Sequence, residues 1–281
     1  MSINWFPGHM VKARREIEEN MKLVDVVIML LDARAPYSCR NPELEKMVAR
    51  KRVILVLNKA DLADNTQMRK HMASLKSEGF AVAAMDSISG RGQRDVLQAI
   101  ISSYQALADA MLEKGRRVRP ARVMVVGVPN IGKSTFLNCL VGKKMAATGA
   151  KPGVTRGKQW LRVRDDIEFM DTPGLMWPKI GSDEQGYRLA LLDIVGDKAY
   201  SEYDAASYLI TWLKENQPAV LLEKFKVTDS NLPPEGLMES IARHRGYLVK
   251  GGGTDLEKTC KLLLQDFRKG KLGPVNLDPV P

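Results

Sequence analysis

A chain of 281 residues with 44% hydrophobic and 27% charged side chains is long enough for one large globular domain or two ordinary ones. Its longest apolar run, VVIMLL from Val26, is far too short for a membrane-spanning helix, so no membrane association is expected. Three widely spaced cysteines fit neither a disulfide framework nor a zinc site. They predict a reducing, cytoplasmic setting.

The net charge of +10 is unevenly distributed. Residues 1–178 carry 29 basic and 18 acidic side chains, whereas residues 179–281 carry 14 and 15. The densest basic stretches are KGRRVRPAR at residues 114–122 and the group Lys143, Lys144, Lys151, Arg156 and Lys158. The excess indicates either a solvated surface with counter-charge for a phosphate ligand, or a polyanionic partner such as nucleic acid.

In the first two thirds of the chain, short apolar runs alternate with helical patterns. Strands are predicted at residues 24–32, 53–58, 81–87, 122–127, 159–164 and 167–171. Helices are predicted at residues 42–50, 66–78, 94–112 and 133–141. This alternation predicts an α/β fold with a largely parallel sheet and helices on both faces.

The pattern changes after about residue 183, where buried strands give way to amphipathic stretches such as YLITWLKEN and LMESIARHRGYL. We therefore expect three parts: an α/β domain over residues 1–180, a smaller all-helical domain over 181–270, and a loose Pro/Gly-rich tail over 271–281.

The segment GVPNIGKS at residues 127–134 fits the pattern G-x-x-x-x-G-K-[ST] between a predicted strand and a predicted helix. Its backbone N–H groups and the helix dipole predict a phosphate-binding loop. Lys133 would reach the β- and γ-phosphates, and the Ser134 hydroxyl would bind Mg²⁺. The predicted nucleotide-binding residues of this loop are Pro129, Asn130, Ile131, Gly132, Lys133, Ser134 and Thr135.

The segment DTPG at residues 171–174 ends the next predicted strand. Asp171 could hold Mg²⁺ through water, and the Gly174 N–H could meet the γ-phosphate. Thr155, in PGVTRG, could close on Mg²⁺ while the γ-phosphate is present and withdraw after hydrolysis. Thr148 is the alternative for this switch role, and Thr155 is the favoured one.

The segment NKAD at residues 58–61 predicts selectivity for guanine. The Asp61 carboxylate can accept from N1–H and the 2-amino group, a pair that adenine does not offer, which disfavours a metabolic ATPase. Asn58 can bond the six-keto and N7 edge, and the Lys59 stem can lie over the ring. The loop beginning at Ser87 would complete the pocket through backbone N–H groups, with Ile88 where alanine is usual.

The order of these motifs resembles that of a circularly permuted GTPase: base motif, serine loop, phosphate loop, switch threonine, Asp-x-x-Gly. The chain is most similar to the ribosome-biogenesis GTPase A family, the YlqF/YawG-type large-subunit assembly GTPases. The matching segments are NWFPGHMVKA, LDARAPYSCRNP, NKADL, GVPNIGKST, KPGVTRGKQW and DTPGL. Joining the helix predicted at residues 94–112 to the phosphate-loop strand would keep the usual P-loop GTPase sheet while moving the chain ends.

The resemblance implies a GTP-binding and GTP-hydrolysing assembly factor that acts on the large ribosomal subunit and is activated by binding to it. It also implies that the helical domain contacts RNA or the ribosome, and that the protein is monomeric off the ribosome. The alternative is a non-ribosomal regulatory GTPase whose helical domain binds a protein.

Leu175 occupies the position where many small GTPases have a glutamine that orients the attacking water, so we expect slow GTP hydrolysis that a partner stimulates. The resemblance implies that Asn130 helps to bind K⁺ against the phosphates; the other interpretation is that Asn130 only shapes the loop. It also implies that His9 approaches the γ-phosphate and offers its imidazole to the water. The predicted catalytic residues are His9, Asn130, Lys133, Thr155 and Gly174.

Overall fold

A six-stranded sheet is the main feature of the computed structural model, which describes residues 8–142, 160–170, 172–177, 180–196 and 199–281, apart from the side chain of His9. The strands are β1 (Val26–Asp32), β2 (Arg52–Asn58), β3 (Ala81–Met85), β4 (Ala121–Gly127), β5 (Trp160–Arg164) and β6 (Ile167–Met170). Their spatial order is β3-β2-β1-β4-β6-β5, and every neighbouring pair is parallel except β5 with β6. The predicted α/β fold is confirmed.

The burial of each strand follows its place in the sheet. All residues of β1 and the last five of β2 are buried, as expected of parallel strands that are covered on both faces. In contrast, every residue of the edge strand β5 is at least partly exposed. This difference explains why β5 has a more polar sequence than the central strands.

The helices of the sheet-bearing part are α1 (Gly8–Met21), α2 (Pro42–Val48), α3 (Asn65–Ser77), α4 (Gln93–Glu113) and α5 (Lys133–Val141). Of these, α1 was not predicted from the sequence. Its core contacts come from Met10, Ala13 and Ile17, which are buried at three- and four-residue intervals along the helix. Within the described residues, no helix is both long and apolar enough to cross a membrane.

The described chain divides into two compact units. The first holds the sheet and consists of the described residues up to 177 together with residues 275–281. The second spans residues 180–274 and contains α6 (Asp183–Leu191), α7 (Glu202–Asn216), α8 (Pro218–Glu223), α9 (Pro234–His244) and α10 (Leu256–Arg268). In this helical unit α7 contacts each of the other helices and buries an apolar face that includes Leu209, Ile210 and Leu213.

Residues 275–281 differ from the loose tail expected over 271–281. Val275, Leu277 and Asp278 are buried, and this segment packs on the sheet-bearing unit. The Asp278 carboxylate accepts hydrogen bonds from the backbone amides of Tyr37 and Ser38 at 2.7 and 2.9 Å. The Pro/Gly-rich composition correctly indicates irregular backbone, but the long-range hydrogen bonds hold that backbone in place.

The carboxyl ends of the parallel strands lie at one edge of the sheet, where the predicted motifs follow them. The register pairs Asn58, at the end of β2, with Asp32 of β1. On the other side of β1, Gly127 at the end of β4 pairs with Leu30. Because one strand separates β2 from β4, the loops that follow them start about 10 Å apart. This spacing suits a nucleotide whose base and phosphates are bound by different loops.

Candidate guanine-nucleotide site

Asn58 connects the predicted base motif to the phosphate loop. Its side chain is buried, and its Nδ2 donates a hydrogen bond to the Ile131 carbonyl at 3.0 Å. The Ser87 hydroxyl donates to Asn58 Oδ1 at 2.6 Å. An amide nitrogen carries two hydrogens, so this fixed orientation leaves one of them for the N7 edge of a base.

Lys59 is held at the start of the same loop in a left-handed conformation, with φ of 56°. Its Nζ lies 3.2 Å from Asp32 Oδ2 and donates to the Asn130 carbonyl at 3.3 Å. These contacts direct the stem of Lys59 across the gap between β2 and the phosphate loop. A lysine stem in that position can cover one face of a base.

Asp32 is a part of this site that the sequence reasoning missed. The carboxylate is fully buried and forms a bidentate pair with Arg34, whose Nε and Nη2 donate at 2.9 and 2.8 Å. Burial by itself would raise the pKa of Asp32, but the charge and hydrogen bonds of Arg34, with Lys59, lower it to about 2. A charged residue ending the apolar run VVIMLLD was the signal that could have identified it.

The phosphate loop follows β4 and has the backbone that its sequence predicts. Gly132 has a φ of 98°, and Asn130, a non-glycine residue, has a φ of 54°. Lys133 Nζ donates to the carbonyls of Gly127 and Val128 at 3.2 and 2.9 Å, which keeps the ammonium inside the curve of the loop. Helix α5 begins at Lys133, and Ser134 and Thr135 are exposed in its first turn.

At Gly132 and Gly174 an added Cβ would be crowded by neighbouring atoms. A Cβ on Gly132 would lie 2.6 Å from Asn58 Nδ2. A Cβ on Gly174 would lie 3.0 Å from Lys133 Nζ and 3.0 Å from the backbone nitrogen of Pro129. The Gly174 backbone therefore lies directly against the phosphate loop.

Leu175, where a glutamine would stand in many small GTPases, points into the core. It is fully buried, and its amide donates to the Gly127 carbonyl at 3.2 Å. Its carbonyl accepts from Asn41 Nδ2 at 2.8 Å, while Asn41 Oδ1 caps α2 by accepting from the Glu43 amide at 2.9 Å. Asn41, also missed by the sequence reasoning, therefore ties the segment after Gly174 to the start of α2.

The loop after β3 is organised by Asp86. Its Oδ1 accepts from the amides of Ile88 and Ser89 at 2.9 and 3.2 Å, and its Oδ2 accepts from the Ser89 hydroxyl. Burial raises the pKa of Asp86, but these hydrogen bonds outweigh it and the pKa is lowered. The Ile88 amide, which we expected to face the base, thus donates within its own loop, while the Ile88 side chain is exposed.

Several predicted residues lie outside the described part of the chain: Thr148, Thr155, Asp171 and the side chain of His9. The backbone of His9 belongs to the first turn of α1. Among the described residues, no group of His, Cys, Asp and Glu side chains could hold a metal on its own. In nucleotide sites Mg²⁺ takes few protein ligands and binds the phosphates. The exposed Ser134 hydroxyl is a suitable ligand.

A parallel sheet with a phosphate loop and an Asn-Lys-x-Asp loop at its carboxyl edge defines a P-loop GTPase. The base motif precedes the phosphate loop in the chain, so the fold is a circularly permuted one. GTPases of this class require Mg²⁺.

The comparisons with known proteins agree with this class. Residues 122–225 match the family described as 50S ribosome-binding GTPase. The chain is 38% identical over 278 residues to ribosome biogenesis GTPase A from Bacillus cereus, covering 99% of this chain and 94% of the relative. It is similar to the crystal structure of GNP-bound YlqF from T. maritima, with a TM-score of 0.67 and 28% identity. The match covers 96% of this chain and 98% of that structure. The GDP-bound YlqF structure gives a TM-score of 0.66 at 27% identity, and the match covers 94% of this chain and 98% of that structure.

The chain belongs to the ribosome biogenesis GTPase A family. It is a GTP-binding and GTP-hydrolysing ribosome assembly factor.

Proposed function

We propose that this GTPase acts on the large ribosomal subunit, binds it through ribosomal RNA, and hydrolyses GTP rapidly only when bound. The observation that carries the proposal is the position of the basic segment at residues 114–117. This segment lies before β4, whereas the phosphate loop follows the same strand. The two are therefore at opposite edges of the sheet.

The distance of this charge from the phosphate loop favours a polyanionic partner over counter-charge for the nucleotide. Strand β4 has seven residues, and a strand of that length spans about 20 Å. The Debye length at physiological salt is about 8 Å, so cations at the amino end of β4 are screened from nucleotide phosphates. Lys114, Arg116 and Arg117 are exposed there, and Arg50 and Arg52 are exposed at the start of β2. They form a basic edge suited to a polyanion outside the nucleotide site.

We propose the helical unit as the second contact with the ribosome. It has a hairpin closed by an antiparallel bridge between Leu248 and Thr254. Leu248 and Val249 are 53% and 48% exposed, and Lys250 follows them. An exposed apolar tip beside a cation suits a surface made of RNA and protein.

The site residues have the following proposed roles. Asn58, Lys59 and Asp61 bind guanine, with Ser87 orienting Asn58 and the amide of Ile88 able to turn to the base. The phosphates are bound by residues 129–135 and by the Gly174 amide. Ser134, Thr155 and Asp171 would hold Mg²⁺, which neutralises charge on the phosphates. We propose that Asn130 serves K⁺ and that His9 orients the water.

The proposed mechanism follows from the burial of Leu175 and of Met176 and Trp177, the described residues that come directly after it. Water must therefore be oriented by a group from elsewhere, and the segment that carries His9 is the candidate. Docking on the ribosome would fix that segment and so raise the rate. We propose that the protein is monomeric off the ribosome and works in the cytoplasm. The family match does not favour the alternative of a non-ribosomal switch.

The test is GTP hydrolysis in K⁺ buffer, with and without purified large subunits, together with subunit binding in a GTP analogue and in GDP. We expect strong stimulation, and binding that requires the analogue and weakens with salt. The double variant Arg116→Glu/Arg117→Glu should weaken binding and reduce its salt dependence. The charge-matched control is Arg14→Glu/Arg15→Glu, because these arginines are already paired with Glu18 and Glu19 at 3.1 and 2.9 Å. Turnover that large subunits leave unchanged would refute the proposal.

The role of His9 is tested by His9→Ala, which should abolish stimulated hydrolysis and leave GTP affinity nearly intact. His244, which is exposed at the end of α9, provides the control substitution. Full stimulation of the His9 variant would exclude the role.

A further inference from the structure

Residues 275–278, which we call the strap, lie against the base loop at residues 58–64. The Val275 amide donates to the Leu62 carbonyl at 3.1 Å, and Val275 forms a parallel bridge with Ala63. Leu62 directly follows Asp61 in the chain. The strap is thus bonded to the backbone one residue beyond the carboxylate that we assign to guanine.

Asn276 joins the two segments that flank the base motif. Its Oδ1 accepts from the Asp64 amide at 2.8 Å, and its Nδ2 donates to the Ala33 carbonyl at 3.3 Å. The Ala33 amide in turn donates to the Asn58 carbonyl at 2.8 Å. One side chain therefore links the end of the base loop, at Asp64, to the segment that holds its beginning, at Asn58.

The strap is itself firmly anchored. The Leu277 amide donates to the Arg34 carbonyl at 2.7 Å. Next to it, the buried Asp278 carboxylate accepts from the amides of Tyr37 and Ser38 and from the Ser38 hydroxyl. Hydrogen bonds to a charged acceptor are roughly twice as strong as neutral ones. Such an anchor can hold the base loop in one conformation.

The direction of the Asp61 side chain depends on the backbone that carries it. It is exposed, and in the described part of the chain no group donates a hydrogen bond to its carboxylate. Its direction is therefore set by the backbone on either side. On one side that backbone is fixed by Asn58, and on the other by the strap.

We infer that the strap, through Asn276, is a positioning element that aims Asp61 at the N1–H and 2-amino group of guanine. This inference rests on the proposed role of Asp61 in the nucleotide site. It makes selectivity for guanine depend on a segment that lies more than two hundred residues from the base motif in the chain.

The test compares the affinities of GDP and of inosine diphosphate, which lacks the 2-amino group, on the full chain by fluorescence titration. Asn276→Ala should weaken the binding of both nucleotides, because both carry N1–H, but GDP should lose about fivefold more, close to the loss of the one further hydrogen bond from its 2-amino group. The preference for GDP should fall by the same factor. Because the preference is a ratio measured on one protein, a general loss of stability does not change it.

Two further variants sharpen the comparison. Asn276→Asp keeps the acceptor for the Asp64 amide but loses the donor to the Ala33 carbonyl, so its preference should lie between those of the wild type and Asn276→Ala. Asp25→Ala removes a bridging side chain at the opposite edge of the sheet, where Asp25 accepts from Arg119 at 2.7 and 2.8 Å. This control should leave the preference unchanged. A preference that Asn276→Ala leaves intact would overturn the inference.

Asp61→Ala separates this inference from the function on which it rests. If Asp61→Ala abolishes the preference and Asn276→Ala does not change it, only the strap proposal fails. If Asp61→Ala leaves the preference intact, the assignment of Asp61 fails and the strap proposal fails with it.

Discussion

Lys59 Nζ lies 3.2 Å from Asp32 Oδ2, so a residue of the base motif is positioned by a buried carboxylate on the neighbouring strand. The same carboxylate is bonded twice by Arg34, which is itself buried. Removing one partner of a buried ion pair lowers the free energy of unfolding by more than the intact pair contributes to it, because the other charge remains buried without a counter-charge. The stability of this unit and the geometry of its nucleotide site are therefore linked at Asp32.

The variant Asp32→Asn should lower the free energy of unfolding by about 3 kcal/mol or more, because Arg34 loses its counter-charge. It should also weaken GDP binding, since Lys59 loses its anchor. Urea unfolding followed by tryptophan fluorescence measures the first effect. The control is Asp166→Asn, an exposed carboxylate 3.0 Å from Arg164, for which we expect a change below about 0.5 kcal/mol. Similar losses in the two variants would contradict the prediction.

The contribution of Asp32 to stability should depend on pH. Its pKa in the folded protein is about 2, against an ordinary value of 3.8. A carboxylate whose pKa is lowered on folding stabilises the folded state at pH values above its pKa in the unfolded chain. This stabilisation is lost as the pH falls towards the pKa of the carboxylate in the folded protein. The difference in unfolding free energy between the wild type and Asp32→Asn should therefore shrink by about 1 kcal/mol from pH 6 to pH 3. A difference that stays constant over that range would show that folding does not lower the pKa of Asp32.

Gly132→Ala should abolish most nucleotide binding. Its Cβ would come within 2.6 Å of Asn58 Nδ2 and displace the hydrogen bond to Ile131. We expect at least a tenfold loss of GDP affinity, equal to about 1.4 kcal/mol. Gly142, at the other end of α5, is a matched control, because it also has a positive φ but would place its Cβ in open space. Gly142→Ala should cost about 1–3 kcal/mol of stability, because its backbone has a φ of 75° and a ψ of 170°, and should keep full affinity.

Leu175→Gln should not speed up GTP hydrolysis, although it restores the residue type that many small GTPases have. The side chain at this position is fully buried, so a glutamine amide would be buried without a partner rather than meet the attacking water. We expect a loss of stability of about 1–3 kcal/mol and no gain in single-turnover rate. Leu175→Met, which conserves volume, should cost less than about 1.5 kcal/mol. A faster Leu175→Gln enzyme would show that this segment can turn towards the phosphate.

Potassium dependence tests the role proposed for Asn130. Subunit-stimulated hydrolysis should be faster in K⁺ than in Na⁺, and Asn130→Ala should remove the difference while keeping GDP affinity. The exposed Asn138 on α5 offers the control substitution, Asn138→Ala. Equal rates of the wild type in the two salts would leave Asn130 with a structural role in the loop.

The fold class, the GTPase motifs and most of the strands and helices of this protein could be predicted from local sequence. Apolar runs predicted the strands, because a strand buried on both faces must be apolar throughout. The motifs at residues 58–61 and 127–134 were identifiable because their function depends on local backbone shape and on a few adjacent side chains. Helix α1 was missed, although Met10, Ala13 and Ile17 have helical spacing.

The tertiary structure decided what depends on contacts between distant segments. The support of Lys59 by Asp32, the tie from Asn41 to Leu175 and the strap at Asn276 join residues that are 27 to 212 positions apart. No local pattern marks such pairs, since each consists of one or two hydrogen bonds or an ion pair between segments that only the fold brings together. The location of the basic segment at residues 114–117 also depended on the fold. Its charge was visible in the sequence, but only the direction of β4 showed that it faces away from the nucleotide.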